Sequence, residues 1–369
     1  MKKTLPKNIY FAVTNDLSMD QRMYRICSGL SKSGVEVMIV GRKLKNSLPP
    51  QNGNYKSVRL KCLFNSGPLF YAEIQLRLFF FFLFKKKPAI YAAVDTDTLL
   101  AMWLLSKLKS AKLLYDSHEI FDQVPELLQK PFVRKVWRTI ERMCIPATNY
   151  RWTVNHSLAE YFQKKYKKEF TVVRNVPEFF KLERKEKPEK GLILYQGKVN
   201  KGRGIEQALD AIKLLPGCRL VIAGDGDLLQ AMQKKAETES ISNVHFAGPQ
   251  TPDQLREWTS KAWLGLNLLE KESGNYYYSL ANKFFDYMAY GIPSLSMDFP
   301  EYRRINDKHE FSVLLQNLNP SGIAGAIQSL LDDEQKYQSL SQNAHSAFSE
   351  LNWEKEFERV KGSLMDQSW

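Results

Sequence analysis

Three stretches of the chain carry residue types that could do chemistry. Gly197-Lys198-Val199-Asn200-Lys201-Gly202-Arg203-Gly204 follows a short apolar run and sets three cations among three glycines. Its spacing is neither that of the P-loop nor G-x-G-x-x-G. Backbone N–H groups and Lys or Arg at a helix start still suit a diphosphate. Glycines alone would serve a turn, and the three cations tilt the reading towards an anion. The second stretch is Ser279 to Pro293, where Phe284, Phe285, Tyr287 and Met288 make an apolar helical stripe stopped by Gly291 and Pro293. Asn282 and Lys283 sit at the start of that helix and Asp286 lies off the stripe. A helix N-terminus with a lysine suits a phosphate, and a carboxylate one turn on can accept from a ribose diol. The third is Tyr115-Asp116-Ser117-His118-Glu119, directly after a strand. A lone histidine is usually structural, but one at a strand end among Asp and Glu is a catalytic candidate. Gly224-Asp225-Gly226, also at a strand end, is either a tight turn or a loop facing the same crevice.

The elements needed to position these residues are legible in order. Asn8–Val13 is a short apolar strand, Asp20 an N-cap for a helix carrying Met23, Ile26, Cys27 and Leu30, and Val35–Val40 the next strand. The alternation recurs as strand 89–94, helix 98–107 and strand 112–115, with Thr153–Asn155 and Val172–Pro177 as the last strands of this half. Residues 181–190 are charged, hold one proline and read as a linker. The second half restarts: strand 192–195, helix 205–214, strand 219–223, helix 228–237, strand 244–246, helix 252–261, strand 264–268, then Ser279–Pro293 and strand 295–297. Helices over 320–331, 333–348 and 353–364 finish the chain. Strands with continuous apolar cores alternating with helices imply parallel sheets covered on both faces.

The chain has 369 residues, 44% hydrophobic and 25% charged, which is globular and too long for one ordinary core. The longest purely apolar run, Leu78–Phe84, is far short of a membrane span, and Ile9–Val13 is too short for a signal peptide. Four dispersed cysteines without a C-x-x-C pair point to a reducing cytoplasm and to neither disulfides nor zinc. Residues 1–183 hold 31 Lys and Arg against 15 Asp and Glu, whereas residues 184–369 hold 22 against 25. The net charge of +13 therefore sits wholly in the first half and asks for an anionic partner there. The Phe-rich stretch Leu69–Lys87 reads either as a buried helix or as one lying in a membrane interface. No basic helix with interleaved aromatics matches a nucleic-acid-binding module, so no nucleic-acid partner is expected.

The ordered set Asp20-Gln21-Arg22, Ala93-Val94-Asp95-Thr96-Asp97-Thr98, Tyr115-to-Glu119, Arg174-Asn175-Val176-Pro177, Gly197-to-Gly204, Gly224-Asp225-Gly226 and Ser279-to-Pro293 resembles a retaining glycosyltransferase of the GT-B fold, close to glycosyltransferase family 4. The resemblance implies an α/β protein of two doubly wound Rossmann-like domains facing a central cleft. It implies an acceptor-side domain over 1–180, the linker 181–190 and a donor-binding domain over 191–352, with the final helix, 353–369, packing back on the first domain.

It further implies a metal-independent hexosyltransferase that needs no cofactor. Such an enzyme moves a sugar from a nucleoside-diphosphate sugar to a saccharide or lipid-linked saccharide, in cell-surface polysaccharide or glycan assembly. Lys198 and Lys201, or Arg203, would hold the donor diphosphate. Gly197, Gly224, Asp225, Ser279, Leu280, Asn282 and Lys283 would line the same site, and Asp286 would bind the ribose. His118, with Asp116 and Glu119 beside it, would be the catalytic group of the first domain, facing the donor sugar. The departure is Tyr278, which stands eight residues before Asp286, where the commoner E-x7-E pattern has Glu; Glu270 and Glu272 are the nearby substitutes. The basic half would make the enzyme cytoplasmic and peripheral on the anionic inner face of the cell membrane. The other readings are a nucleotide-sugar epimerase of the same fold and a degenerate transferase acting as a membrane-bound assembly partner.

Overall fold

The structure, a computed structural model, describes residues 4–18, 20–45, 47–49, 53–124, 127, 129–181, 187–271 and 273–365. The chain divides into two compact units, Met1–Asn175 with Lys355–Trp369, and Val176–Glu354. The expected linker 181–190 falls partly on 182–186, outside the described residues.

In the first unit the elements run β1 (Asn8–Asp16), α1 (Gln21–Lys32), β2 (Glu36–Lys43), β3 (Lys56–Lys61), α2 (Gly67–Leu83), β4 (Ile90–Val94), α3 (Thr96–Leu108), β5 (Lys112–Ser117), α4 (Pro131–Cys144), β6 (Tyr150–Thr153), α5 (His156–Tyr166) and β7 (Thr171–Val172). The strands pair in the order β3-β2-β1-β4-β5-β6-β7, and every pair is parallel. Burial of all five residues of β4 follows from helices on both faces. The strand order reverses between β1 and β4, so the crevice of this unit opens beyond their carboxyl ends. Asp20 caps α1 as its position implies, accepting from the Met23 N–H at 3.0 Å.

Two sequence expectations are corrected here. The strand placed at Thr153–Asn155 is β6, which begins three residues earlier and ends at Thr153. Asn155 instead caps α5, its Oδ1 accepting from the Leu158 N–H at 2.8 Å. Of Val172–Pro177 only Val172 lies in a strand, the two-residue β7. The Phe-rich helix α2 is buried along one stripe alone, Phe70, Ile74, Leu78 and Phe82, four residues apart. Leu76 and Phe80 on its other side are exposed.

The second unit runs β8 (Leu192–Gln196), α6 (Ile205–Ile212), β9 (Arg219–Ala223), α7 (Leu229–Thr238), β10 (Val244–Gly248), α8 (Pro252–Lys261), β11 (Leu264–Asn267), α9 (Gly274–Tyr277), α10 (Asn282–Ala289), β12 (Ser294–Met297), α11 (Pro300–His309), β13 (Ser312–Leu315), α12 (Pro320–Asp332) and α13 (Glu334–Glu350). Its six parallel strands lie in the order β10-β9-β8-β11-β12-β13. Here the order reverses between β8 and β11. The last helix, α14 (Trp353–Met365), starts at the end of the second unit and contributes residues from Lys355 onward to the first.

Helix α10 is fixed to that switch point by one side chain. The Tyr287 hydroxyl donates to the carbonyls of Leu194 on β8 (3.0 Å) and Leu266 on β11 (3.4 Å). Its ring passes over Gly265, where a Cβ would stand 2.2 Å from it. Phe284, Phe285, Tyr287 and Met288 are buried, as the apolar stripe requires.

Candidate functional site

In the second unit the cationic loop and α10 come together at the β8/β11 switch point. The loop leaves β8 at Gly197 (φ +126) and enters α6 at Gly204 (φ +66), both in backbone conformations that favour glycine. It touches the β9 loop backbone to backbone. The Gly197 N–H donates to the Ala223 carbonyl at 3.0 Å and the Val199 N–H to the Asp225 carbonyl at 3.0 Å. A Cβ on Gly224 would lie 1.8 Å from the Gly197 carbonyl oxygen. The Asp225 side chain is exposed and accepts from the Gly226 N–H at 2.8 Å, so its visible work is in the turn.

Lys283 stands beside this loop. Its residue is 9% exposed, its Nζ lies 3.6 Å from the centre of the Tyr195 ring, and a Cβ on Gly197 would lie 3.5 Å from that Nζ. It forms no ion pair among the described residues. Burial, then the Arg203 guanidinium, push the Lys283 ammonium well below the usual lysine range, with Asp286 opposing them. Asp286, one turn further on α10, is oriented by Gln196. Gln196 Nε2 donates to Asp286 Oδ2 at 2.8 Å, and Thr259 Oγ1 donates to Gln196 Oε1 at 3.0 Å.

Tyr276 holds the other end of the loop. Its hydroxyl donates to the Lys201 carbonyl at 3.2 Å, and the Arg203 guanidinium lies 4.8 Å from its ring centre. The ring sits against Gly202, where a Cβ would come within 2.5 Å of it. Lys198 and Lys201 are exposed on the loop, and their carbonyls accept from the Tyr195 and Tyr276 hydroxyls.

The remaining expected residues sit between α9 and α10. Tyr278 ends α9, half-buried, with its ring on Tyr277. Ser279 Oγ donates to the Tyr276 carbonyl at 2.8 Å. Leu280 is half-buried and Asn282 is exposed as the first residue of α10. Glu270 reaches the cationic loop through its backbone, its N–H donating to the Gly202 carbonyl at 2.9 Å, while its carboxylate accepts from Gln207 at 3.4 Å. Glu272 lies outside the described residues.

A second constellation sits at the β1/β4 switch of the first unit. Asp116 at the end of β5 is fully buried and takes a bidentate guanidinium: Arg22 Nε at 3.1 Å and Nη2 at 2.8 Å. His118 lies between two carboxylates, with Nε2 at 3.1 Å from Asp116 Oδ2 and Nδ1 at 3.4 Å from Asp95 Oδ2. Its backbone N–H also donates to Asp95 Oδ1 at 2.8 Å. Burial would lower the imidazole, but the charges of Asp95 and Asp116 outweigh it and raise its pKa to about 9. Against the cost of its own burial, Arg22 and His118 hold the Asp116 carboxyl far below the usual range.

Asp95 itself sits at φ +57, ψ 170, a backbone region almost reserved for glycine, which costs on the order of 1–3 kcal/mol. Next to it Asp97, buried and accepting from Thr14 Oγ1 at 2.5 Å, is raised to about 7 by burial and by Asp95. Glu119 enters through its carbonyl, which accepts from Ser117 Oγ at 3.1 Å.

Sequence reasoning assigned no role to Arg22, Asp95, Tyr195, Gln196 or Tyr276. Arg22, in the first turn of α1, and Asp95, directly after β4, both stand in the quoted motifs, but only Asp95 carried the signal of a charge at a strand end. Tyr195 and Gln196 ended a strand and carried none.

Residues 178–347 match the family model for glycosyl transferases group 1. No curated protein matches the chain. Among solved structures the chain is similar to sucrose-phosphate synthase from Thermosynechococcus elongatus, at 15% identity over 96% of this chain and 98% of that one, TM-score 0.79. It is similar to HepE from Anabaena in complex with UDP and glucose, at 11% identity over 98% and 100%, TM-score 0.76. It is also similar to a mutant of TarM from S. aureus in complex with fondaparinux, alpha-GlcNAc-glycerol and UDP, at 10% identity over 98% and 100%, TM-score 0.75.

Proposed function

We propose that the chain, which has the GT-B fold and matches the model for glycosyl transferases group 1 over residues 178–347, moves a hexosyl group from a nucleoside-diphosphate sugar to a saccharide or lipid-linked saccharide, with retention and without a metal. The setting is cell-surface polysaccharide or glycan assembly, on the anionic inner face of the cell membrane.

The observation that carries the reading is Lys283. A buried lysine amine with no ion pair among the described residues, at a helix N-terminus and against a glycine loop, is a site that an anion would complete. A donor diphosphate supplies it. The bond that breaks joins the sugar's anomeric carbon to the diphosphate oxygen, through an oxocarbenium-like state. Negative charge then grows on the leaving diphosphate. Lys283, the exposed Lys198 and Lys201, Arg203 and the N-termini of α6 and α10 stabilise it in place of a metal. Asp286, oriented by Gln196, accepts from the ribose diol. His118, protonated at neutral pH, acts as a fixed cation and not as a base.

The test is thermal shift with UDP, GDP, ADP and their sugars, UDP first because HepE and TarM were solved with it. A nucleotide at a hundred times its dissociation constant adds about 2.7 kcal/mol to stability. Asp286→Ala and Lys283→Met should each weaken nucleotide binding about tenfold or more. Unchanged shifts in both variants would remove the site assignment. Conversion of the donor sugar without any acceptor would instead point to an epimerase.

A further inference from the structure

We propose that the outer face of α2, α3 and α4 is the surface on which this protein docks to an anionic membrane, a refinement that rests on the lipid-linked acceptor reading above. The three helices form one continuous layer. Helix α2 packs on α3 and α3 on α4, and the Tyr71 and Trp137 rings meet at 5.1 Å between α2 and α4. Among the described residues, fourteen large apolar side chains stand exposed, and eleven of them fall on these helices, at their ends or on the loop leading into α2. A folded surface rarely gathers its apolar side chains this way without a partner.

The pattern along each helix selects the partner. On α4 the exposed positions after Pro131 are Phe132, Lys135, Val136, Thr139, Arg142 and Met143, so cations and apolar groups share one stripe at three- and four-residue steps. On α3 Leu104, Lys107 and Leu108 repeat the arrangement. Helix α2 ends with Phe80 and Phe84 exposed, at 53% and 82%, followed by Lys85, Lys86 and Lys87. Among the described residues of these three helices the carboxylates are withdrawn from this face. Asp97 and Glu141 are buried, and Glu73 is spent on Arg77 at 2.7 Å and on the N–H groups of Leu63 and Phe64.

A soluble polyanion would ask for cations without projecting phenylalanines. An apolar protein partner would ask for an uncharged centre. Phenylalanine and leucine set among long cationic side chains match the boundary between acyl chains and anionic headgroups. No helix among the described residues is long and apolar enough to cross a membrane, so the layer would lie on the bilayer and not through it.

The test is flotation with vesicles of phosphatidylglycerol and phosphatidylcholine against vesicles of phosphatidylcholine alone. The parent chain should float with the anionic vesicles, less so as salt rises. The variant Phe84→Ser with Phe132→Ser should partition roughly tenfold or more weakly, with its melting temperature and UDP-induced shift unchanged. A second variant, Lys85→Glu with Lys86→Glu, should lose binding to the anionic vesicles as well. Equal partitioning of parent and serine variant overturns the proposal. So does a serine variant that changes sedimentation from dimer to monomer while vesicle binding persists, which would make the face a contact between copies. Because nucleotide binding is read separately, failure of the docking face leaves the transferase reading standing. A chain that floats but ignores every nucleotide sinks that reading and not this one.

Discussion

His118 is the residue whose environment says most about what it can do. Both ring nitrogens face carboxylates, and the imidazolium that results is raised to about 9 from 6.5. A histidine whose folded pKa is raised contributes stability that is complete below pH 6.5 and is lost as pH rises through 9. Asp97, raised to about 7 from 3.8, works in the same direction at lower pH, its contribution fading as pH rises through 7. The first unit should therefore melt at progressively lower temperature between pH 6 and 9. Asp95→Asn removes one of the two carboxylates. The His118 pKa should fall towards its ordinary value, on the order of one unit. Proton NMR of the imidazole carbon-bound hydrogens reads this directly, and an unchanged titration would show that the Asp95 charge does not hold the imidazolium. The sequence displayed His118 and Asp116 because they follow a strand. It hid Arg22, because a buried guanidinium paired across 94 residues looks like any surface arginine.

At the scale of elements, the legible parts were those whose burial pattern is uniform. Helix α8 was bounded by its own chemistry, a Thr251 cap with Pro252 in the first turn. Missed were β3, an edge strand whose half-buried Ser-Val-Arg-Leu stands between two exposed lysines, and β13, half-buried after its first residue. Edge strands carry little apolar signal because one side of them is unpaired. The glycine loops were legible as glycines, but the closeness of their backbones was not. That closeness makes a prediction. Gly224→Ala would set a Cβ 1.8 Å from a backbone carbonyl that cannot swing aside, so β8 and β9 loops must separate. The cost is about 2–3 kcal/mol of stability, and nucleotide binding should fall with it. Gly217→Ala, with nothing within 4 Å of the new methyl, is the control that should leave binding unchanged. Equal nucleotide shifts in the two variants would mean that the loop contact does not shape the site.

At the scale of the whole molecule, the two parallel sheets follow from strand composition, whereas the return of the chain to its first unit depends on contacts that sequence spacing cannot show. Helix α14 places Glu356, Val360 and Leu364 at four-residue steps, all buried. Glu356 is the polar member of that stripe, and it meets a partner 182 residues earlier. Its carboxylate accepts from the Arg174 N–H at 2.9 Å and from Arg174 Nη1 at 3.0 Å. Trp152 Nε1 donates to Ser363 Oγ at 2.8 Å further along, and Phe357 lies against Gly29 of α1. Breaking a buried pair by removing one partner costs on the order of 3–5 kcal/mol, because the other charge is left unpaired in the interior. Glu356→Gln retains a carbonyl acceptor for one of the two bonds, which places its cost near the lower end. Urea unfolding should show the transition of the first unit moving to lower denaturant with an unchanged slope. The UDP-induced shift belongs to residues of the second unit and should persist at temperatures where both units are folded. A variant that loses nucleotide binding without losing stability would place Glu356 in the binding machinery and not in the return of the chain.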